Sequence, residues 1–146
     1  LGETLEIEIL HSTTWLETLI SKGRLQLKEL DRTVTFHDPC DLGRGSGIFE
    51  APRSVLRAVP GLRLVEMPHN REHALCCGGG GDVEMVDGEL TGAVTRRRME
   101  EAVSTGAGMV VTACQQCVRT LSTAARTTGS GLRVVDITTF IAKQVV

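Results

Sequence analysis

Short apolar runs alternate with longer amphipathic stretches along this chain of 146 residues. The short runs are rich in β-branched and aliphatic side chains, which is typical of strands. They predict strands at residues 7–10, 33–36, 62–67, 109–112 and 132–137. The longer stretches carry apolar residues three and four positions apart, which is the spacing of one helix face. They predict helices at residues 14–20, 51–59, 89–103, 117–126 and 138–146.

The order of these elements predicts an α/β fold. Strands that are separated by helices pair in parallel, because each helix carries the chain back to the start of the next strand. We therefore expect a layered domain with a mostly parallel sheet and crossover helices. Residues 1–146 have the length of a single domain, and a hydrophobic content of 41% is enough for a core without disulfides. The expected N-cap of the first helix is Ser12, Thr13 or Thr14.

Composition and charge exclude several classes of partner. The formal net charge is −2, so no strong field marks a binder of nucleic acid or of anionic membranes. Aromatic residues make up only 3% of the chain, which argues against a surface on which bases stack. No apolar run is long enough to predict a transmembrane segment. Because the chain begins with Leu1 rather than Met, we expect it to be part of a longer protein.

Two glycine-rich loops interrupt the pattern, at residues 42–47 and 78–81. A phosphate-binding P-loop would need a Lys followed by Ser or Thr, and neither loop has that pair. The dinucleotide fingerprint would need Gly or Ala at position 83, where this chain has Val83. Nucleotide binding is therefore not the expected role of either loop.

Five cysteines are the most informative residues of the chain. An odd number suits a disulfide scaffold poorly, and no signal peptide opens the chain, so we expect a reducing, cytoplasmic location. Cys40 follows the strand predicted at 33–36, and Cys114 follows the strand at 109–112. Both should lie at the carboxyl edge of a parallel sheet, where α/β folds place their sites. The loop that carries Cys76 and Cys77 can reach the same edge.

The donor set favours a cluster of several irons over one metal ion. A closed zinc site needs four ligands, usually as two close pairs, whereas here there are five thiols and one pair is adjacent. Adjacent cysteines would strain a tetrahedral ion, but they can bind different irons. The glycines after Cys77 allow N–H···S bonds, and the CxxC pair Cys114 and Cys117 lies near a predicted helix N-terminus, which favours thiolates. A zinc ion, a thioredoxin-type redox pair and buried apolar cysteines remain as alternatives.

The cysteine pattern Cys-x35-Cys-Cys-Gly-x35-Cys-x-x-Cys resembles that of the CCG, or cysteine-rich, domain. This domain occurs in the heterodisulfide reductase B subunit and in the iron–sulfur subunits of glycolate oxidase, lactate-utilisation enzymes and anaerobic glycerol-3-phosphate dehydrogenase. The likeness covers residues 33–140. The short motifs that match are His37-Asp38-Pro39-Cys40, Gly43-Arg44-Gly45, Glu50-Ala51-Pro52-Arg53 and Cys76-Cys77-Gly78-Gly79-Gly80-Gly81.

The resemblance implies a non-cubane [4Fe-4S] cluster and an electron-transfer role in an iron–sulfur oxidoreductase. It also implies that the chain is the C-terminal part of a longer enzyme, whose flavin-containing or other iron–sulfur subunits are its partners and provide any peripheral membrane association. The alternative is a zinc-bound or metal-free module that docks subunits without redox activity. The implied ligands are Cys40, Cys76, Cys77, Cys114 and Cys117.

Three other features near the cysteines carry weaker expectations, and none of them identifies a catalytic residue. His37 lies three residues before Cys40. It either donates a hydrogen bond to a sulfide or a bound substrate, or relays a proton, or it is an ordinary histidine bonded to backbone at a strand end. Arg44 either neutralises charge at the cluster or is solvated. The run at residues 96–98 contains three arginines and is expected to be an exposed helix face, with a docking surface for an acidic partner as the alternative.

Overall fold

Four parallel strands form a single sheet in the order β2-β1-β3-β4, as seen in a computed structural model that describes residues 7–146. The predicted layered α/β fold is confirmed. The strands are β1 (Arg32–His37), β2 (Leu62–Leu64), β3 (Met109–Thr112) and β4 (Arg133–Asp136). The helices are α1 (Ser12–Ser21), α2 (Glu50–Arg57), α3 (Val83–Val86), α4 (Gly88–Ser104), α5 (Gln115–Thr128) and α6 (Ile137–Ala142).

The strand order creates a point at which the direction of winding reverses. From β1 the chain passes through α2 to β2 on one side, and it then crosses to β3 on the other side of β1. The register pairs Thr35 with Val110 and His37 with Thr112, so β1 and β3 end side by side. In open α/β sheets, ligands bind outside the carboxyl ends of the strands at such a reversal.

Helices cover both faces of the sheet. The sheet separates the core into two clusters, one on each face. Val34 and Phe36 of β1 pack on the side of α2 and α6, while Val110 of β3 packs on the side of α4 and α5. Because side chains alternate along a strand, His37 lies on the face opposite to Phe36. The ring of His37 therefore faces the same layer as Met99 of α4, and not the main aliphatic cluster.

The strand predicted at residues 62–67 ends at Leu64, and α3 is not among the predicted helices. Three further details differ from the sequence-based expectations. Residues 7–10 form no strand, because β-branched residues form a strand only where a neighbouring strand pairs with them. Ile9 in this run is 91% exposed. The N-cap of α1 is His11, whose Nδ1 accepts the N–H of Thr13 at 3.2 Å. The last helix ends at Ala142, since the residues that follow it turn to pair with residues 26–28.

None of the helices in residues 7–146 has both the length and the hydropathy that are needed to cross a membrane.

A cysteine-rich centre at the carboxyl edge of the sheet

The five cysteines lie in three segments at the carboxyl edge of the sheet. Cys40 comes three residues after the end of β1, and Cys114 comes two residues after the end of β3. Cys76 and Cys77 belong to the loop between β2 and α3. The two central strands thus place the first and third segments directly at the reversal of the sheet.

The centre extends from the protein interior to its surface. Cys77 and Cys117 are 4% and 2% exposed, and His37 beside them is 1% exposed. The Cys77 and Cys117 sulfurs and a His37 ring nitrogen all lie within 4.8 Å of one another. Cys114 is half-buried, whereas Cys40 and Cys76 are exposed. All five are free of disulfides.

The interaction between the two buried thiols shifts their pKa values in opposite directions. A hydrogen bond from the Cys117 thiol lowers the pKa of Cys77 to about 4 against the effect of burial, and His37 and the Gly79 N–H support the thiolate. The pKa of Cys117 is raised, because its thiol is hydrogen-bonded to Cys77 and because burial penalises a second thiolate. Of the two inner thiols, Cys77 is therefore the one that ionises more readily.

The loop of Cys77 is held tightly between α4 and α5. The Thr95 hydroxyl donates to the carbonyl of Cys77 at 2.7 Å, and the Thr91 hydroxyl donates to the carbonyl of Gly78 at 3.0 Å. Gly78 has a φ of 88°, and a Cβ at this position would lie 2.8 Å from Thr95 Oγ1. Glycine is needed here both for the left-handed backbone and for the close approach to α4.

The surroundings of the outer cysteines Cys40 and Cys76 are formed by the loops that carry them. The N–H of Gly78 donates to Cys76 Sγ at 3.3 Å, which is one of the N–H···S bonds that the glycines allow. Partial burial raises the pKa of Cys40, and so does the negative charge of Asp41. Arg44 donates to the carbonyl of Ala74 at 2.8 Å, so it links the loop after β1 to the loop before Cys76.

A buried ion-pair network joins the same two loops at a second place. Arg53 of α2 is fully buried and binds both carboxylate oxygens of Asp38, at 2.7 and 2.9 Å, and both oxygens of Glu66, at 2.7 and 2.9 Å. Asp38 also accepts the backbone N–H of Arg71, a residue with the left-handed φ of 55°. Burial would raise the pKa of Asp38, but the bonds from Arg53 and Arg71 hold it below its ordinary value.

Arg98 is the residue whose placement the sequence pattern predicts wrongly. An exposed helix face is expected for residues 96–98, yet Arg98 is 0% exposed and only Arg96 and Arg97 of this run face solvent. Arg98 Nε donates to His37 Nδ1 at 2.9 Å. Arginine can only donate, so Nδ1 is the acceptor and the proton of the neutral ring resides on Nε2. Burial, foremost, and the charge of Arg98 lower the pKa of His37, which favours this neutral form.

The spacing of the buried residues in α4 shows that Arg98 belongs to the buried face of this helix. Thr91, Thr95, Arg98 and Ala102 are all buried and follow one another at intervals of four, three and four residues. That is the spacing of a single helix face, and it includes three positions that carry polar side chains. A search for apolar residues alone misses this face, because hydroxyls and a guanidinium line it.

Comparison with known proteins places the chain beside iron–sulfur oxidoreductases. The profile of the cysteine-rich domain named CCG matches residues 34–122, which is more than half of the chain. The D subunit of the dihydromethanophenazine:CoB–CoM heterodisulfide reductase of Methanosarcina acetivorans is 40% identical over 144 residues, covering 98% of this chain and 35% of that protein. A probable iron–sulfur-binding oxidoreductase of Bacillus subtilis is 33% identical over 143 residues, covering 96% of this chain and 20% of that protein.

The B subunit of the CoM/CoB fumarate reductase of Methanothermobacter marburgensis is also similar. It is 32% identical over 112 residues, which cover 77% of this chain and 22% of that protein. The chain thus spans about a third of the length of the heterodisulfide reductase relative and less of the others.

Proposed function

Because this chain belongs to the cysteine-rich CCG domain family of iron–sulfur oxidoreductases, we propose that its five cysteines hold a non-cubane [4Fe-4S] cluster that transfers electrons. The observation that carries the proposal is the juxtaposition of Cys77 and Cys117 beneath the reversal of the sheet. The segments of Cys40 and Cys114 start from the two strands that flank this point.

The donor set fits a cluster with several irons. Thiolates are the ligands of iron–sulfur clusters, and Cys77 has the depressed pKa of a sulfur that is ready to bind metal. Cys76 is exposed whereas the adjacent Cys77 is buried, so these neighbours face different surroundings. This placement suits the binding of two different irons better than the chelation of one ion. The N–H groups of Gly78 and the start of α5 add positive potential around the sulfurs.

Each part of the centre has a separate task in this proposal. A bound cluster supplies one-electron chemistry, and the protein determines its potential and its access. Cys77 and Cys117 anchor the inner side, where the packing of α4 and α5 excludes water. Cys40 and Cys76 lie at the surface, where a redox partner can approach within the distance of electron transfer.

The wider setting is also part of the proposal. We propose that the chain is one domain of a longer cytoplasmic oxidoreductase. Its partners are then a flavin-containing or iron–sulfur subunit, which passes electrons to it or receives them. The similar proteins from Methanosarcina and Methanothermobacter are both named as reductase subunits, which supports an assembly of this kind.

A zinc site is the second candidate, because His37, Cys77 and Cys117 form a compact group of three metal-binding side chains. With Cys114 they would make a Cys3His set of the type that structural zinc uses. The hydrogen bond from Arg98 to His37 Nδ1 weighs against it. That bond leaves the ring with a protonated Nε2, which has no lone pair to give to a metal.

Metal and sulfide analysis of the chain, purified without oxygen, tests the proposal. We expect a brown sample with about four irons and acid-labile sulfide in every chain that carries a full site. A colourless sample with one zinc and no sulfide would overturn the cluster and support the structural module. Reconstitution with iron and sulfide, followed by the same analysis, separates a lost cluster from a site that cannot form one.

A further inference from the structure

We propose that Arg98 is a positioning residue of the sulfur centre, which fixes His37 as an N–H donor to sulfur and supplies the positive charge that compensates the buried thiolates. The inference about the cluster rests on the proposed function. The inference about His37 rests on geometry alone, since Arg98 and His37 contact each other through a single defined hydrogen bond.

The contacts of Arg98 account for three of its five N–H groups. Nε donates to His37 Nδ1 at 2.9 Å, and Nη1 donates to the carbonyl of His69 and to Glu101, both at 2.7 Å. Nη2 is buried and has no hydrogen-bond partner among residues 7–146. A buried donor without an acceptor is costly, so an arginine with a free Nη2 points to an acceptor outside the described protein atoms.

The direction of this hydrogen bond, from Arg98 to His37, determines which nitrogen of the His37 ring carries the proton. A guanidinium has no lone pair, so the ring must accept at Nδ1 and carry its proton at Nε2. Neither nitrogen is then free to bind a metal. Nε2–H is then the donor that the ring has left for a sulfur acceptor. A ring nitrogen of His37 and the sulfurs of Cys77 and Cys117 all lie within 4.8 Å of one another.

The charge of Arg98 is the second part of the inference. Arginine remains protonated in proteins, and the acidic side chain that Arg98 contacts, Glu101, is also contacted by His69. A buried cation that is hydrogen-bonded to the ring beside the Cys77 and Cys117 sulfurs favours the state of the centre with more negative charge. For a redox cluster this is the reduced state, so Arg98 raises the reduction potential of the bound cluster. An N–H···S bond from His37 acts in the same direction.

The test compares Arg98→Gln and Arg98→Lys with the matched control Arg97→Gln, whose side chain is exposed on the same helix. Midpoint potentials are measured on the iron-loaded chain. We expect Arg98→Gln to weaken the preference for the reduced form about tenfold, which is ~59 mV for one electron. Arg98→Lys should retain a potential closer to that of the unchanged protein, because it keeps the charge. Arg97→Gln should leave the potential as it is.

A second readout reports on the His37 ring directly. Pulsed electron paramagnetic resonance of the reduced cluster, with ¹⁵N-labelled histidine, distinguishes a nitrogen bonded to iron from one that is only nearby. We expect weak coupling in the unchanged protein, and a changed coupling in Arg98→Gln but not in Arg97→Gln. Strong coupling in the unchanged protein would show that His37 is a ligand, and would overturn the inference.

Failure of this inference can be distinguished from failure of the proposed function. If the unchanged chain takes up no iron and sulfide, the cluster proposal fails. If it is loaded but Arg98→Gln and Arg97→Gln have the same potential, only the role of Arg98 fails. If both Arg98 variants lose iron while Arg97→Gln retains it, Arg98 serves folding rather than tuning, and the inference is overturned.

Discussion

Gly79 lies so close to Thr120 of α5 that a Cβ at Gly79 would overlap the Thr120 hydroxyl and would also stand 2.7 Å from Gln116 Nε2. The residue two positions after Cys77 is thus in direct contact with the helix that carries Cys117. This approach brings the second cysteine segment against the third. The distance between the inner sulfurs depends on it, because a displaced loop would carry Cys77 with it.

Gly79→Ala should therefore move the loop away from α5 and weaken the metal centre. We expect a loss of about 1–3 kcal/mol in the free energy of unfolding, the usual cost of overpacking, together with reduced iron content. Denaturant unfolding and iron analysis measure both effects. Gly80→Ala is the matched control. Apart from Gly80 itself and its two chain neighbours, no residue of 7–146 has an atom within 4 Å of a Cβ at that position, so the stability should be unchanged. Equal stability of the two variants would refute this account of Gly79.

Arg53→Met should destabilise the domain far more than Arg57→Met. Arg53 is fully buried, and its removal leaves Asp38 without its partner, which costs about 3–5 kcal/mol for a buried ion pair. Arg57, one turn later in α2, is exposed and its ion pair with Glu50 spans 3.8 Å, so its loss should cost less than about 0.5 kcal/mol. Urea unfolding of the two variants gives the comparison. Similar midpoints would mean that the network does not hold the Cys40 loop.

Cys77→Ser should abolish most of the bound iron. The hydroxyl is a poor ligand for iron and cannot supply the buried thiolate, and metal-binding free energy is partly folding free energy. We expect a lower thermal midpoint in addition to the loss of iron. Ala124→Ser places a hydroxyl in the same apolar cluster on α5 and should retain the metal. Full iron content and activity in Cys77→Ser would contradict the proposed ligand set.

His37→Ala should change the midpoint potential and leave the iron content intact. The ring is proposed to donate to sulfur and not to bind metal, and such neighbours tune a centre without holding it. We expect a lower potential, because an N–H···S bond that stabilises the reduced state is lost. A redox titration with parallel iron analysis tests this. An unchanged potential would return His37 to an ordinary residue at the end of β1, and lost iron would make it a ligand.

The fold could be predicted from the sequence because local and global signals agree in most of the chain. β3 contains four buried residues in succession, and its predicted bounds are those observed. The run at residues 7–10 misleads because β-propensity says nothing about whether a partner strand is near. The four-residue helix α3 escapes prediction, since one turn of helix is too short to show a period.

The type of site, a metal centre, could be predicted from the sequence. The contacts that support this site could not. The cysteines are distinctive in spacing, so the sequence alone indicates a metal centre. The pattern assigns Arg98 to solvent because a run of charges usually marks an exposed face. Arg98 is buried because α4 packs near the end of β1 in the folded chain. This packing brings Arg98 to His37, which is 61 positions away in the sequence. Pairings over such distances are properties of the packed fold.

The most direct test of the central claim is X-ray absorption, recorded at the iron and zinc edges of the chain purified without oxygen. The technique reports which atoms surround the metal. The account predicts a first coordination shell of sulfur, without bound histidine nitrogen, and a second shell of neighbouring irons. Absorption by zinc in place of iron, or iron with nitrogen ligands and no iron neighbour, would contradict it.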